Sequence, residues 1–193
     1  MFEQLQALDR QLLVLINSAN TQFLDNVMWI ISGKLTWIPL YALLLYFLIR
    51  KVGRNWWLLL LAIALTVLLA DSISVHCFKN VVQRYRPTHN LLIGNMLHIV
   101  HGYHGGMYGF VSSHAANTFA IVVFTSLIMR NRWFSVLMTL WAAIVCYSRM
   151  YIGAHYPADI ACGALLGAAC GFAVYKLYIW CADKLENKHQ CNE

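Results

Sequence analysis

Residues 56–79 read WWLLLLAIALTVLLADSISVHCFK, and positions 56 to 70 of that run carry no charge. A bilayer core of roughly 30 Å calls for about 20 apolar residues in a helix, so this stretch predicts a membrane-crossing helix. Four further apolar runs approach the same length: Leu35 to Arg50, Ser113 to Met129, Trp133 to Tyr147 and Asp159 to Trp180. With 60% hydrophobic and only 11% charged residues in 193, the chain is too apolar for an ordinary soluble domain. The expected architecture is an all-α polytopic membrane helical bundle of about five spans. It forms one domain over residues 1–193.

The first run has an uncertain start near Phe23, because Ser32-Gly33-Lys34 and Pro39 interrupt it, and a kink is expected there. Before it, Leu5, Leu8, Leu12, Leu15 and Ile16 recur at helical spacing, with Glu3, Asp9 and Arg10 among them. Residues 1–20 therefore read as an amphipathic interfacial helix. A basic start and a small-residue cleavage site are missing, so a cleaved signal peptide is not expected. Residues 183–193 read as a polar cytoplasmic tail. Cys77, Cys146, Cys162, Cys170 and Cys181 fall in or beside apolar runs and read as packing residues, while Cys191 lies in the tail.

Loop charge orients such a bundle. Arg50, Lys51 and Arg54, then Arg130 and Arg132, then Lys176, Lys184 and Lys188 follow alternate helices, which assigns them to the cytoplasmic side. The stretch 79–112 and the turn at 148–157 then lie outside. Besides Arg10, four basic residues remain on that outer face against the trend: Lys79, Arg84, Arg86 and Arg149. Basic residues kept where orientation disfavours them are candidates for function. The net charge of +6 does not indicate nucleic-acid binding, because the cations divide between opposite faces of a membrane.

Three outward stretches hold most polar residues that solvated loops do not explain: Lys79 through Arg86-Pro87, Ser112-Ser113-His114, and Ser148-Arg149 with His155 and Asp159. Lys79 and Arg86 stand seven residues apart, which predicts two cations on one face of a helix end until Pro87 stops it. Ser112 or Ser113 occupies a capping position before the run from Ala115, turning free amides and the positive helix end toward the same anion. Arg149 adds a guanidinium suited to phosphate oxygens. Pro157 favours the first position of a helix, placing His155 before it and Asp159 in its first turn, within reach of the imidazole. A histidine so oriented presents its other nitrogen as a nucleophile, leaving His114 to protonate a departing oxygen.

These residues resemble the type 2 phosphatidic acid phosphatase family of membrane lipid phosphatases. Lys79, Arg86 and Pro87 match its first signature, Lys-x6-Arg-Pro, and Ser148, Arg149, His155 and Asp159 match its third, Ser-Arg-x5-His-x3-Asp. In the second, Pro-Ser-Gly-His, the chain keeps Ser112 and His114 but has Val111 and Ser113 where the family has proline and glycine. The resemblance implies cofactor-free, metal-independent hydrolysis through a phosphohistidine. It implies His155 as nucleophile, Asp159 orienting it, His114 as acid, and Lys79, Arg86, Ser112 and Arg149 around the phosphate; Ser113, beside Ser112 at the helix cap, is a further phosphate-binding candidate on its position alone. It also implies a bacterial inner-membrane location, a site facing the periplasm, and a membrane lipid phosphate as partner. Lipid A is the leading substrate, with undecaprenyl diphosphate and phosphatidylglycerophosphate as alternatives. A phospholipid-binding or transport protein is the non-enzymatic alternative, which would need neither His155 nor Asp159.

Other polar residues have plainer readings. Arg50, Arg54, Arg130 and Arg132 read as snorkelling anchors, His76 as a packing residue, and Asp71 as the structural partner of a neighbouring polar group. Arg84 stays open between anchor and ligand. His98, His101 and His104 recur at intervals of three, but without a carboxylate or cysteine beside them they read as part of a mobile, glycine-rich lip whose Tyr103, Met107, Tyr108 and Phe110 touch a lipid head group or the interface, rather than a metal site. Gly163, Gly167 and Gly171 read as a close helix-packing face.

Overall fold

The computed structural model describes residues 2–190; Cys191 and the end of the expected tail lie outside the described residues, as does the side chain of Lys188. Helix α1 covers Phe2–Ser18 and α2 covers Gln22–Ser32. The hydroxyl of Thr21 caps α2 by accepting the Leu24 N–H, and Gly33 ends it. The stretch from Phe23 is thus a separate helix rather than a kinked start of the first span. After a 3₁₀ turn at Leu35–Trp37, α3 (Ile38–Val52) and α4 (Trp56–Ser72) fold against each other at Gly53. The φ of +67° there favours glycine.

Helix α4 runs on as a π-helical turn, Ile73–Lys79, and a last turn α5, Asn80–Val82, before Gln83 adopts the left-handed conformation. That stop corrects the expected placement of Arg86 on the same helix face as Lys79. Arg86 instead lies in extended chain, joined to the loop by its N–H donating to the Met107 carbonyl at 2.9 Å. The remaining helices are α6 (Ser113–Met129), α7 (Arg132–Tyr151) and α8 (Pro157–Gln190). Residues 183–190, expected as tail, continue α8. Among the described residues, three helical runs are long and apolar enough to cross a membrane, Leu35–Val82, Arg132–Tyr151 and Pro157–Asn187, and Ser113–Met129 is a shorter apolar helix.

Helices α6 and α8 form the central seam. A Cβ on Gly163 would lie 2.6 Å from the Ser112 carbonyl oxygen, and Cβ atoms on Gly167 and Gly171 would overlap the Ala116 and Ala120 carbonyls. The glycine face therefore sets the backbone approach that places the start of α6 against the start of α8. At the far end, Leu48, Val52, Phe124, Ile128, Met138, Val174 and Tyr178 share one apolar cluster, and the basic turns at 50–54 and 130–132 adjoin it. Lys184 lies over Trp180 and Arg132 over Trp133, as interfacial anchors do.

On α1, Leu5, Leu8, Leu12 and Leu15 are exposed, whereas Asp9, Leu13 and Asn17 are buried. The apolar stripe faces outward and a mostly polar face packs inward, with both hydrogens of the Asn17 amide donated, to the His98 and Tyr151 carbonyls. His76 is exposed on the π-helical turn and is not a packing residue. Asp71 accepts the Asn117 amide at 3.3 Å, the polar neighbour expected for it. The five cysteines of the described residues are free thiols.

Candidate active site

The turn between α7 and α8 builds the centre of the site. Gly153 takes a φ of +70°, and Pro157 opens α8 with its ring at the first helical position, where no N–H is needed. Asp159 reaches back so that its Oδ2 accepts the Tyr156 N–H at 3.1 Å, a capping arrangement that fixes the carboxylate. His155 and Asp159 are both buried. The His155 Nδ1 lies 3.6 Å from Asp159 Oδ2, an ion-pair distance but longer than a hydrogen bond. The direct hydrogen bond expected from sequence is thus replaced by a longer contact, because Oδ2 is drawn onto the Tyr156 amide. Burial, then the charges of Arg86, Arg149 and Lys79, push the imidazole well below the usual histidine range. His155 is therefore neutral near pH 7, with a nitrogen lone pair available.

Around it, a cavity of about 760 Å³ is lined by Lys79, Arg86, Ser113, His114 and His155 at one end. Lys79 donates to the Ser113 hydroxyl at 2.6 Å, and that oxygen also lies 2.7 Å from the Ser74 hydroxyl. The serine standing where the resembled family has glycine therefore holds the lysine. Ser112 is placed differently from Ser113. Its hydroxyl accepts the Ala115 N–H at 3.4 Å and caps α6, its N–H donates to the Asp159 carbonyl, and it lies behind the cavity wall.

Arg149 also stands behind the wall, donating to the hydroxyls of Ser32 and Tyr103. Two guanidinium donors, Arg86 Nη1 and Arg149 Nε, are buried without a protein partner. Buried donors of this kind call for an acceptor, and an anion of several oxygens supplies it. The Tyr103 phenol is opposed by burial but pulled below its ordinary value by Arg149 and Arg86, which is the field an oxyanion would meet. Sequence reasoning gave Tyr103 a lipid contact; the structure makes it the partner that aims Arg149.

The glycine-rich stretch expected as a lip is exposed over residues 104–107 and meets the site at Gly109, which is buried. A Cβ on Gly109 would lie 3.1 Å from Arg86 Cγ and 3.3 Å from Asp159 Oδ2, so a larger residue here would press on both site side chains. Thr88 donates to the His104 carbonyl at 2.7 Å and Gly109 donates to that of Arg84 at 2.9 Å, which tie the loop down. Its three histidines go to separate partners. His98 meets Asp25 at 2.7 Å, His101 stacks edge-on with Trp29, and His104 faces His89. The carboxylate that His98 meets is Asp25 of α2, which also accepts from Tyr151 and does not gather the other two histidines.

Arg84, left open by the sequence, is a structural cation of the site. Its Nη1 donates to Asp159 Oδ1 at 2.7 Å and its Nη2 to Asp9 Oδ2 at 2.6 Å. Asp9 was missed altogether. A signal was present in the four-residue spacing of Asp9, Leu13 and Asn17, which marks a face of α1 distinct from the one that Leu8, Leu12 and Leu15 share.

The family model described as PAP2 superfamily matches residues 55–182. A lipid A 4'-phosphatase of Bacteroides thetaiotaomicron is 38% identical over 179 residues, covering 91% of this chain and 79% of that protein. Another lipid A 4'-phosphatase, of Porphyromonas gingivalis, is 35% identical over 185 residues, covering 94% of this chain and 78% of that protein. Among solved structures, that of LpxE from Aquifex aeolicus superposes with a TM-score of 0.61 at 26% identity, covering 86% of this chain and 93% of the other.

Proposed function

The chain belongs to the PAP2 superfamily, and from that premise we propose that it removes a phosphate from lipid A through a phosphohistidine on His155. The observation that carries the mechanism is the meeting of a buried, neutral imidazole with Lys79 and the unpartnered Arg86 Nη1 on one cavity, backed by the unpartnered Arg149 Nε behind its wall. In the first step His155 attacks phosphorus in line, its P–N bond forms as the P–O bond to the sugar breaks, and His114 gives the leaving oxygen a proton. The carboxylate of Asp159 stabilises the positive ring that results; apo contacts of this length shorten as charge develops. Lys79, Arg86 and Arg149 stabilise the equatorial oxygens. Water then attacks phosphorus, the P–N bond breaks, and inorganic phosphate leaves.

Two features favour a lipid. The cavity continues from the phosphate end between α3, α4 and α6 past Leu44, Leu48, Ile63 and Leu60. From Lys79 to Leu60 along α4 is roughly 28 Å at 1.5 Å per residue, close to a bilayer core. The choice of lipid A rests on the two relatives of that name. Purified protein offered lipid A, undecaprenyl diphosphate and phosphatidylglycerophosphate side by side is expected to release phosphate fastest from lipid A, with full activity in EDTA. Faster release from another lipid refutes the substrate, and a divalent-cation requirement refutes metal independence.

We place the protein in a bacterial inner membrane with the site facing the periplasm, since the basic turns gather at the end of the bundle away from His155. In a cysteine-free background, a cysteine replacing the fully exposed Leu91 is expected to react with an impermeant maleimide in intact spheroplasts. One replacing Asn187 should stay unlabelled until the cells are opened. The reverse pattern puts the site in the cytoplasm.

A further inference from the structure

Asp9 belongs to the amphipathic helix α1, outside the stretch that the family model matches, yet it is buried against the catalytic turn. One carboxylate oxygen accepts the Ala158 N–H at 2.9 Å, an amide of the first turn of α8. The other takes the second arm of Arg84, whose first arm holds Asp159. The Arg84 guanidinium carbon lies over the Tyr156 ring, 4.0 Å from its centroid, a cation–π contact that adds a third hold on the side chain. Two carboxylates thus share one guanidinium, and the cluster keeps one net negative charge.

That charge matters for the chemistry. Phosphorylation makes the His155 ring cationic among Lys79, Arg86 and Arg149, and Asp159 is the carboxylate beside it. Were Arg84 paired with Asp159 alone, the two charges would cancel and little would offset the new cation. Asp9 takes up half of the Arg84 fork and restores the negative balance, while its bond to Ala158 holds α8 at the distance the pair requires.

We propose that Asp9 is a positioning residue of the reaction: through Arg84 and the start of α8 it fixes Asp159 and preserves its charge for the phosphorylated His155. The proposal rests on the reading of His155 as nucleophile. It makes α1 part of the active-site architecture as well as a membrane-facing helix.

The test uses the full chain in detergent, with the lipid phosphate that the wild type hydrolyses fastest, and follows phosphoenzyme formation and steady-state turnover. Asp9→Asn keeps the shape and removes the charge. It is expected to slow phosphoenzyme formation and kcat on the order of 10²-fold, with KM and vanadate affinity within about threefold, because the phosphate-holding cations are untouched. Arg84→Lys keeps a cation but cannot fork to both carboxylates; it should show the same split, and it reads the relay if Asp9→Asn fails to fold. Leu13→Ala, on the same buried face but packed against Ile93, Leu97 and Tyr156, is the control for docking of α1. It should lower Tm while kcat stays within about threefold. His155→Ala is run alongside: if it keeps activity within tenfold of wild type, the nucleophile reading fails whatever Asp9 does. If His155→Ala is inactive while Asp9→Asn or Arg84→Lys folds and turns over within threefold of wild type, the positioning role is overturned. It is equally overturned if Leu13→Ala loses kcat as steeply as Asp9→Asn.

Discussion

His155→Ala is expected to reduce phosphate release by roughly 10⁴-fold or more, while binding of the lipid and of vanadate persists. The expectation follows from the division of labour in the site. In the proposed mechanism the imidazole alone forms the covalent bond, whereas Lys79, Arg86 and Arg149, the cations assigned to the phosphate, stand on other elements and are left in place. Alanine at 155 removes a side chain buried in a turn whose backbone is fixed separately, by the Ala154 N–H on the Arg149 carbonyl and by the Asp159 cap on Tyr156. The fold should therefore tolerate the change, and the loss should appear in kcat with KM little altered. Acid-labile, base-stable phosphate on the wild type after a quench, missing in the variant, is the direct measurement. Residual turnover within tenfold of wild type would remove His155 from the nucleophile role.

The parts of this molecule that were legible in the sequence are those where one physical requirement leaves a local mark. Apolar length marked the helices, the spacing of Gly163, Gly167 and Gly171 marked the α6–α8 seam, and the pattern from Ser148 to Asp159 marked the turn that carries His155. What stayed hidden depends on pairing between distant elements. Nothing near Arg84 in sequence says that its two arms meet Asp9 and Asp159, each 75 positions away. Likewise, Tyr103 read as an interfacial aromatic because its partner Arg149 lies across the bundle. Helical spacing also misplaced Arg86, since the π-turn and the left-handed Gln83 end the helix before it, and the loop pairing then brings it back to the site. Local patterns predict elements; the electrostatics of the site depends on which elements meet.

The role of His114 offers a test that reads the leaving group as well as the residue. It sits in the first turn of α6 and lines the same cavity as His155, the placement that the proposed proton donor needs. When phosphate leaves a sugar, the departing oxygen is an alkoxide, far too basic to leave unprotonated, so His114→Ala is expected to slow that first step by about 10²–10⁴-fold. When a lipid diphosphate is cleaved the leaving group is itself a phosphate, whose second pKa is about 6, and it can leave unaided. His114→Ala should therefore impair the first chemical step on lipid A far more than on undecaprenyl diphosphate, provided the wild type accepts both. Single-turnover rates are required, because both substrates give the same phosphohistidine and its breakdown could mask the difference. In that second step His114 can serve as base toward water, so the variant should give a burst on the diphosphate followed by slow turnover. An equal loss of the first step on both substrates would assign His114 to phosphate binding instead of proton transfer.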